Sequence, residues 1–429
     1  MNDRYKKSEK LLRKALQYIP LGAQTFSKSI TQFPFGVSPY FLDYGKGSHV
    51  WDVDGNEYID FVNSLAAITL GYNDLDVDRA VKRQLKKGVT FSLSHPVEIQ
   101  LAEMIVDMVP CAEMVRFGKN GSDVTAGAIR LARASTGRDH VAVCGYHGWQ
   151  DWYIGSTTRD LGVPEATKAL THKFIYNDLS SLERLFVEYT NQIAVVILEP
   201  MNIEFPKKNF LQNVKDLTHK HGAILVFDEM VTGFRFAKGG AQEYFGVTPD
   251  LAAFGKGIAN GYPLSALVGS KKIMSFMEKI FFSFTFGGET LSIVAAIAVL
   301  NKLKREPVIE TLASKGEILF NGVEKLITKY SLENILSICG HPSWSFLIFK
   351  NTDLYSNWEL KSLFLQEVLK RGVLTLGTHN MSYSHGEEEI NFVLKVYDEI
   401  FPILKDVVEN GRMEKYLNCK PLKPLFTVR

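Results

Sequence analysis

Cysteine is scarce in this chain of 429 residues: Cys111, Cys144, Cys339 and Cys419 are scattered and form no CxxC pair. Such spacing offers neither a disulfide framework nor a zinc site, so no metal is expected and the thiol usage fits a reducing compartment. Charge of one sign is also lacking. Forty-nine Lys and Arg stand against 47 Asp and Glu, a formal charge of +2, and no global field draws in nucleic acid or a membrane surface. The longest apolar run, Leu291 to Leu300, falls well short of the roughly 20 residues a membrane-spanning helix needs. The amino terminus, MNDRYKKSEKLLRKALQ, is charged and has no apolar core of the signal-peptide kind. Repeats, low-complexity tracts and long linkers are missing as well. Together these absences predict a cytoplasmic protein without nucleic-acid or membrane partners.

What is present has the composition of a globular enzyme, 46% hydrophobic and 22% charged. The length exceeds the roughly 250 to 300 residues at which a single core stops growing, so two domains are expected. Apolar strands alternate with helical patterns from Met114 to Val268, which predicts an α/β fold: a mostly parallel central sheet with helices on both faces. From Pro307 onward, helices at Ile309 to Tyr330 and Leu360 to Arg371, strands at Ser345 to Phe349 and Val373 to Leu376, and a final helix from Glu387 to Glu409 read as a smaller α/β domain. The expected partition is an amino-terminal segment (1–60) packing with the small domain, a large domain (61–305) and a small carboxyl-terminal domain (306–429). Near the start, Ser8 to Tyr18 has helical spacing with Leu11, Leu12, Ala15 and Leu16 on one face. His49 to Val62 reads as a hairpin about Asp54-Gly55-Asn56.

The stretch from Ala223 to Gly261 carries the chemistry. Asp228 ends the apolar run Ile224 to Phe227, which reads as a buried parallel strand, so its carboxylate emerges at the strand's carboxyl end, where open α/β sheets place ligands. Lys256 follows a second run, Leu251 to Phe254, and lies between Gly255 and Gly257. A structural ion pair is one reading of this carboxylate and amine. The other is that Lys256 forms a Schiff base with a carbonyl cofactor while Asp228 holds a pyridinium proton. Elsewhere, Phe117-Gly-Lys-Asn-Gly-Ser122 links a short strand to a helix on which Val124, Ala128 and Leu131 share a face. A glycine turn feeding a helix amino terminus is a ready phosphate site, although Ser122 and Asp123 would serve equally as plain caps.

FDEMVTGFR (227–235) followed by FGKGIANGYPLSALVG (254–269) resembles the cofactor-binding core of the class III, omega-type, pyridoxal-phosphate aminotransferases, and most closely the glutamate-1-semialdehyde aminomutase branch. The likeness runs from about Ile19 to His385. It implies a fold-type I homodimer with active sites shared between subunits, and pyridoxal 5'-phosphate as cofactor. On this resemblance Lys256 and Asp228 are the catalytic pair, Gly121 and Ser122 hold the phosphate, and Tyr146 of the YHG segment stacks on the ring. Thr285, in Thr285-Phe-Gly-Gly288, binds the phosphate of the other subunit, with Glu289-Thr290 replacing the family's Asn-Pro.

Trp149 and Trp152 would line the mouth. Thr25, Lys28 and Glu204 fall at substrate positions. Lys28 stands where the aminomutases have arginine, Leu65 where they have a tryptophan wall, and the segment from Thr157 to Ala169 is shorter than their gating loop. The implied activity is transfer of an amino group from an amino acid to an aldehyde or ketone, such as a keto-sugar or other cell-surface precursor. An intramolecular aminomutase and a non-catalytic relative of the same fold are the alternatives.

Overall fold

Short apolar runs bounded by glycine, asparagine or charge become strands, and segments with 3.6-residue periodicity become helices, in a computed structural model that describes residues 3–424. The chain forms two compact units, Met1–Asp74 with Glu310–Leu425, and Leu75–Ile309.

The first unit opens with a helix, Lys6–Tyr18, that buries Ser8, Leu12 and Ala15. Leu11 and Leu16, expected on the same buried face, are exposed. The cause is a remote cap: the Asp54 carboxylate accepts from Lys7 N (2.7 Å) and Ser8 N (2.8 Å), and Ser8 Oγ accepts from Tyr40 N (2.8 Å). These bonds rotate Ser8 inward. Strands β1 (Leu42–Lys46), β2 (His49–Asp52) and β3 (Glu57–Asp60) form an antiparallel meander. The Asp54-Gly55-Asn56 turn between β2 and β3 is tied by Asp52 Oδ1, which accepts from Asp54 N and Asn56 N. After β3 the chain passes through Asn63–Ala66, a single turn with left-handed backbone throughout.

The second unit holds β4 (Met114–Gly118), β5 (His140–Cys144), β6 (Thr171–Lys173), β7 (Ile193–Leu198), β8 (Ile224–Glu229), β9 (Leu251–Phe254) and β10 (Ser265–Gly269). They make a seven-stranded sheet in the order β4-β10-β9-β8-β7-β5-β6. Neighbours from β9 through to β6 run parallel; β10 is antiparallel to both β4 and β9. All six residues of β7 are buried, and alternate ones feed opposite layers. Val195 and Ile197 pack with Val124, Ala128 and Leu131 of the helix Gly121–Thr136. Val196 and Leu198 pack with Leu182, Phe210 and Val214 of the helices Leu179–Glu188 and Phe210–Lys220. Both faces are therefore covered by helices, as a parallel sheet requires. Each such aliphatic side chain contributes roughly 1.5–3 kcal/mol on burial.

Back in the first unit, β11 (Leu336–His341), β12 (Trp344–Phe349) and β14 (Thr378–Asn380) form one sheet, while β13 (Val373–Leu374) adds in parallel to β3. The helices Asn357–Lys370 and Glu387–Asn410 complete this unit's α/β pattern. His379 and His385 are buried here. His379 bonds to Ser345 Oγ and Tyr397 OH, and His385 to Ser382. Burial pushes their imidazolium pKa values down to about 4 and about 3, so both are neutral structural groups. Among the described residues no helix is long and apolar enough to cross a membrane.

Candidate active site

Parallel pairing of β8 with β9 sets Asp228 opposite Ala253 and Glu229 opposite Phe254. Lys256 lies two residues beyond β9, so both candidate groups arrive at the carboxyl edge of adjacent strands, the place where open α/β sheets bind ligands. Asp228 is 3% exposed. Its Oδ1 accepts from Met230 N (3.1 Å), and its Oδ2 lies 2.8 Å from His147 Nδ1. His147 Nε2 faces the Cys144 carbonyl oxygen at 3.1 Å. A carbonyl only accepts, so Nε2 carries a proton and donates. The ring is thereby oriented with Nδ1 toward the carboxylate. Asp228's side-chain partner is thus His147; none of the described ion pairs joins Asp228 to Lys256.

Lys256 opens a short 3-10 turn, Lys256–Ala259, with a left-handed φ of 45°. The side chain is open to solvent, yet enough protein surrounds it for desolvation to lower the ammonium pKa. Glu199 and Asp228 pull the other way, and the Arg235 charge reinforces the lowering. Arg235 is 1% exposed, and burial pushes its own pKa down to about 10.

Glu199, one residue past β7, is the neighbouring strand's counterpart of Asp228. Its pKa is raised by burial and by the Asp228 charge, against His147, Tyr146 N and Asn202. Glu199 Oε2 accepts from Tyr146 N (3.0 Å) and Asn202 Nδ2 (2.9 Å). Sequence reasoning assigned no role to Glu199, His147 or Arg235. The strand-end logic that found Asp228 applies equally to Glu199, since Leu198 pairs with Phe227.

The segment Gly145-Tyr146-His147-Gly148 links this carboxylate group to the helix Gly121–Thr136. Both glycines have φ 104°, and both are needed for close approach. A Cβ on Gly145 would lie 2.4 Å from Glu199 Oε2, and one on Gly148 would lie 2.2 Å from Ser122 Oγ. Thr125 Oγ1 donates to His147 O (2.9 Å) and Trp149 N donates to Ser122 Oγ (3.2 Å). Tyr146 is half exposed and meets Tyr153 edge-on, with centroids 5.6 Å apart. Burial, then the Asp228 and Glu199 charges, raises its phenol pKa. Asn120 is the helix N-cap, and the Asp123 carboxylate accepts from Lys119 N (3.0 Å) and Asn120 N (2.8 Å). The N-cap position is thus Asn120 and not Ser122, while Asp123 does serve the helix start through its carboxylate, as expected. It leaves the Gly121 and Ser122 N–H groups in the first turn, where an α-helix supplies no acceptor.

Thr285 sits on an exposed turn, and no described contact joins it to Gly121 or Ser122 of its own chain. Glu204 is exposed in the irregular segment after β7. Trp149 is exposed, whereas Trp152 is buried in the hydrophobic core, so Trp152 does not line an open mouth as expected. Thr25 and Lys28 belong to the first unit. There Thr25 Oγ1 accepts from Ser27 N (3.1 Å) and Lys28 Nζ donates to Ser64 Oγ (3.4 Å).

Comparison with known proteins matches the family described as Aminotransferase class-III over residues 34–385. The chain is 34% identical to the 3-aminobutyryl-CoA aminotransferase of Cloacimonas acidaminovorans, over 94% of this chain and 98% of that one. It is 36% identical to the glutamate-1-semialdehyde 2,1-aminomutase of Aquifex aeolicus, over 94% and 99%. Among solved structures, the PLP form of the FumI protein from Sphingopyxis sp. MTA144 superposes with a TM-score of 0.88 at 28% identity, covering 97% of this chain and 99% of that one. A sheet with these strand-end residues and relatives of this extent lead to one conclusion: the chain belongs to the class-III aminotransferases, PLP-dependent enzymes of an α/β transferase fold.

Proposed function

We propose that this protein is an intermolecular aminotransferase that moves an amino group from an amino acid donor to an aldehyde or ketone acceptor. The observation that carries the reading is the delivery of Lys256 and Asp228 to one sheet edge, beside a helix terminus opened by Gly148. These residues fit pyridoxal phosphate. The first-turn N–H groups of Gly121 and Ser122 suit its phosphate, the accessible Tyr146 ring suits its pyridine face, and the buried, doubly held Asp228 carboxylate suits its ring nitrogen. Bound there, the cofactor supplies an electron sink for the carbanion left when the substrate Cα loses its proton.

The chain's own residues do the rest. Asp228, held by His147 and Met230 N, would present its carboxylate to the ring nitrogen. Lys256 Nζ is the amine that would hold the cofactor through its carbonyl and, once released from it, would take up and return the proton at the substrate Cα. Its lowered pKa keeps more of the amine in the neutral form that accepts a proton. Thr285 from a second copy would complete the phosphate contacts in a shared homodimeric site. Retention of Lys256, Asp228, Tyr146 and Ser122 together argues against a non-catalytic binding protein.

The 36%-identical aminomutase relative makes intramolecular transfer the second reading. Against it stand Lys28 and Leu65, where that branch has an arginine fork and an aromatic wall. Lysine offers a point charge in place of a bidentate grip, and leucine offers no flat wall, so a larger or less acidic acceptor is expected. The test follows isotopically labelled nitrogen through a matrix of amino donors and carbonyl acceptors. The acceptors include keto-sugars and the 3-oxo thioester corresponding to 3-aminobutyryl-CoA. Donor-dependent labelling of an acceptor is expected. Efficient conversion of glutamate 1-semialdehyde to 5-aminolevulinate without an added donor would overturn the proposal in favour of the aminomutase.

A further inference from the structure

In the unit made of Met1–Asp74 and Glu310–Leu425, four consecutive residues hold left-handed backbone: Asn63, Ser64, Leu65 and Ala66, at φ 46°, 51°, 62° and 66°. L-residues avoid this region because Cβ crowds the following carbonyl oxygen, and of the four only asparagine tolerates it routinely. Such backbone persists where the surroundings over-determine it, and it clusters at functional sites.

Two buried groups do the over-determining. Asp60, at the end of β3, accepts from Val62 N (2.7 Å), Asn63 N (3.0 Å) and Tyr72 OH (2.7 Å). Asn380, at the end of β14, donates from Nδ2 to Val62 O (2.7 Å) and from its backbone N–H to Phe61 O (3.0 Å), while Asn63 Nδ2 donates to Asn380 O. The two asparagines thus latch the turn reciprocally, across 317 residues of sequence. Asn63 and Asn380 are buried, whereas Ser64 and Leu65 are partly exposed and Ser64 Oγ accepts from Lys28 Nζ.

We infer that the Asn63–Asn380 latch is a positioning device, which holds Lys28, Ser64 and Leu65 as one substrate-facing surface. This rests on the aminotransferase reading, in which Lys28 and Leu65 occupy substrate positions. The two asparagines touch no substrate. Their loss should loosen acceptor binding while leaving the cofactor residues of the other unit untouched.

The experiment compares Asn380→Ala, Asn63→Gly and the double variant Asn380→Ala/Ala66→Gly with the wild-type holoenzyme. Asn63→Gly keeps the N–H bonded to Asp60 and accepts positive φ without strain, so it removes only the side-chain half of the latch. Loss of one such hydrogen bond should raise the acceptor KM about tenfold with kcat nearly constant, speed hydrogen exchange at residues 64–68, and leave cofactor absorbance and affinity unchanged. Glycine at position 66 lowers the cost of the left-handed turn and should recover much of the KM. Faster exchange with an unchanged KM would overturn the positioning role and leave the aminotransferase reading intact. Parallel loss of KM, kcat and cofactor affinity, or failure of both single variants to fold, would mark a purely structural role and overturn it as well. A wild-type protein that transaminates no donor–acceptor pair would refute the functional reading itself, and this inference with it.

Discussion

In the proposed mechanism Lys256 reacts only after its ammonium loses a proton, and its surroundings act on that step. Desolvation lowers the folded-state pKa below the ordinary value of 10.5, although Glu199 and Asp228 oppose it. The penalty for keeping the amine charged is absent above 10.5 and grows as pH falls toward the folded value, so stability is given up for a reactive amine. The rate at which added pyridoxal phosphate forms its coloured adduct should therefore rise with pH through a midpoint below 10.5. After borohydride reduction, peptide mapping should recover the label on Lys256, and Lys256→Ala should bind cofactor without it. A label on another lysine would refute the site. At this scale the sequence was informative where a charged residue followed an apolar strand. It was silent on His147 and Arg235, whose roles come from what they face. It was equally silent on the left-handed turn, where strain of roughly 1–2 kcal/mol per residue is sustained by bonds from Asp60 and Asn380.

The elements themselves show how one substitution is accommodated. The helix Thr290–Arg305 starts at Glu289, whose carboxylate accepts from Leu291 N (2.6 Å), Ser292 N (3.2 Å) and Ser292 Oγ (2.6 Å) and pairs with Lys119 Nζ at 2.9 Å. Burial alone would raise its pKa, but Ser292, Lys119 and Leu291 N outweigh burial and the net shift is downward. A depressed carboxylate stabilises the fold above its ordinary value of 4.5 and loses that contribution as pH falls through the folded pKa. Glu289→Ala should therefore cost roughly 1–2 kcal/mol near neutral pH by denaturant titration, with a deficit that shrinks below about pH 4.5. Glu289→Gln, which keeps a capping oxygen, should cost less; a pH-independent deficit would refute the electrostatic part. Glu289, legible in sequence only as a departure from the Asn-Pro of the resemblance, is thus the helix cap in this chain. Strongly periodic elements were legible, because the pattern of burial is written in residue type. The rotation of the helix Lys6–Tyr18 was not, because Asp54 caps it from 46 or more residues away in sequence.

On the scale of the whole molecule, the functional reading brings in a second copy. Thr285 stands on an exposed turn next to Phe286 (59% exposed), with Phe281 (78% exposed) close by in sequence. Large exposed aromatics of this kind suit burial in an interface. Lys256→Ala and Thr285→Ala should each be inactive or nearly so as homodimers, and mixed dimers should regain activity through one intact site. Two dead parents whose confirmed mixed dimers stay dead would rule out sharing.

Strand and helix order, the two strand-end groups Asp228 and Lys256, and the glycine-bounded helix terminus at Gly121 were determined by the sequence alone, because each depends on local pattern. Buried strands are apolar, close backbone approaches favour glycine, and the residue after a strand emerges at the sheet's edge. The tertiary structure alone decided the partners: His147 on Asp228, Glu199 beside it across β7 and β8, Glu289 on Lys119, and Asn380 on the turn at Asn63. The hydrogen-bonded pairs among these, His147 with Asp228 and Asn63 with Asn380, join residues 81 and 317 positions apart. No local pattern encodes them, because they form only when strands distant in sequence are brought into register by a shared core.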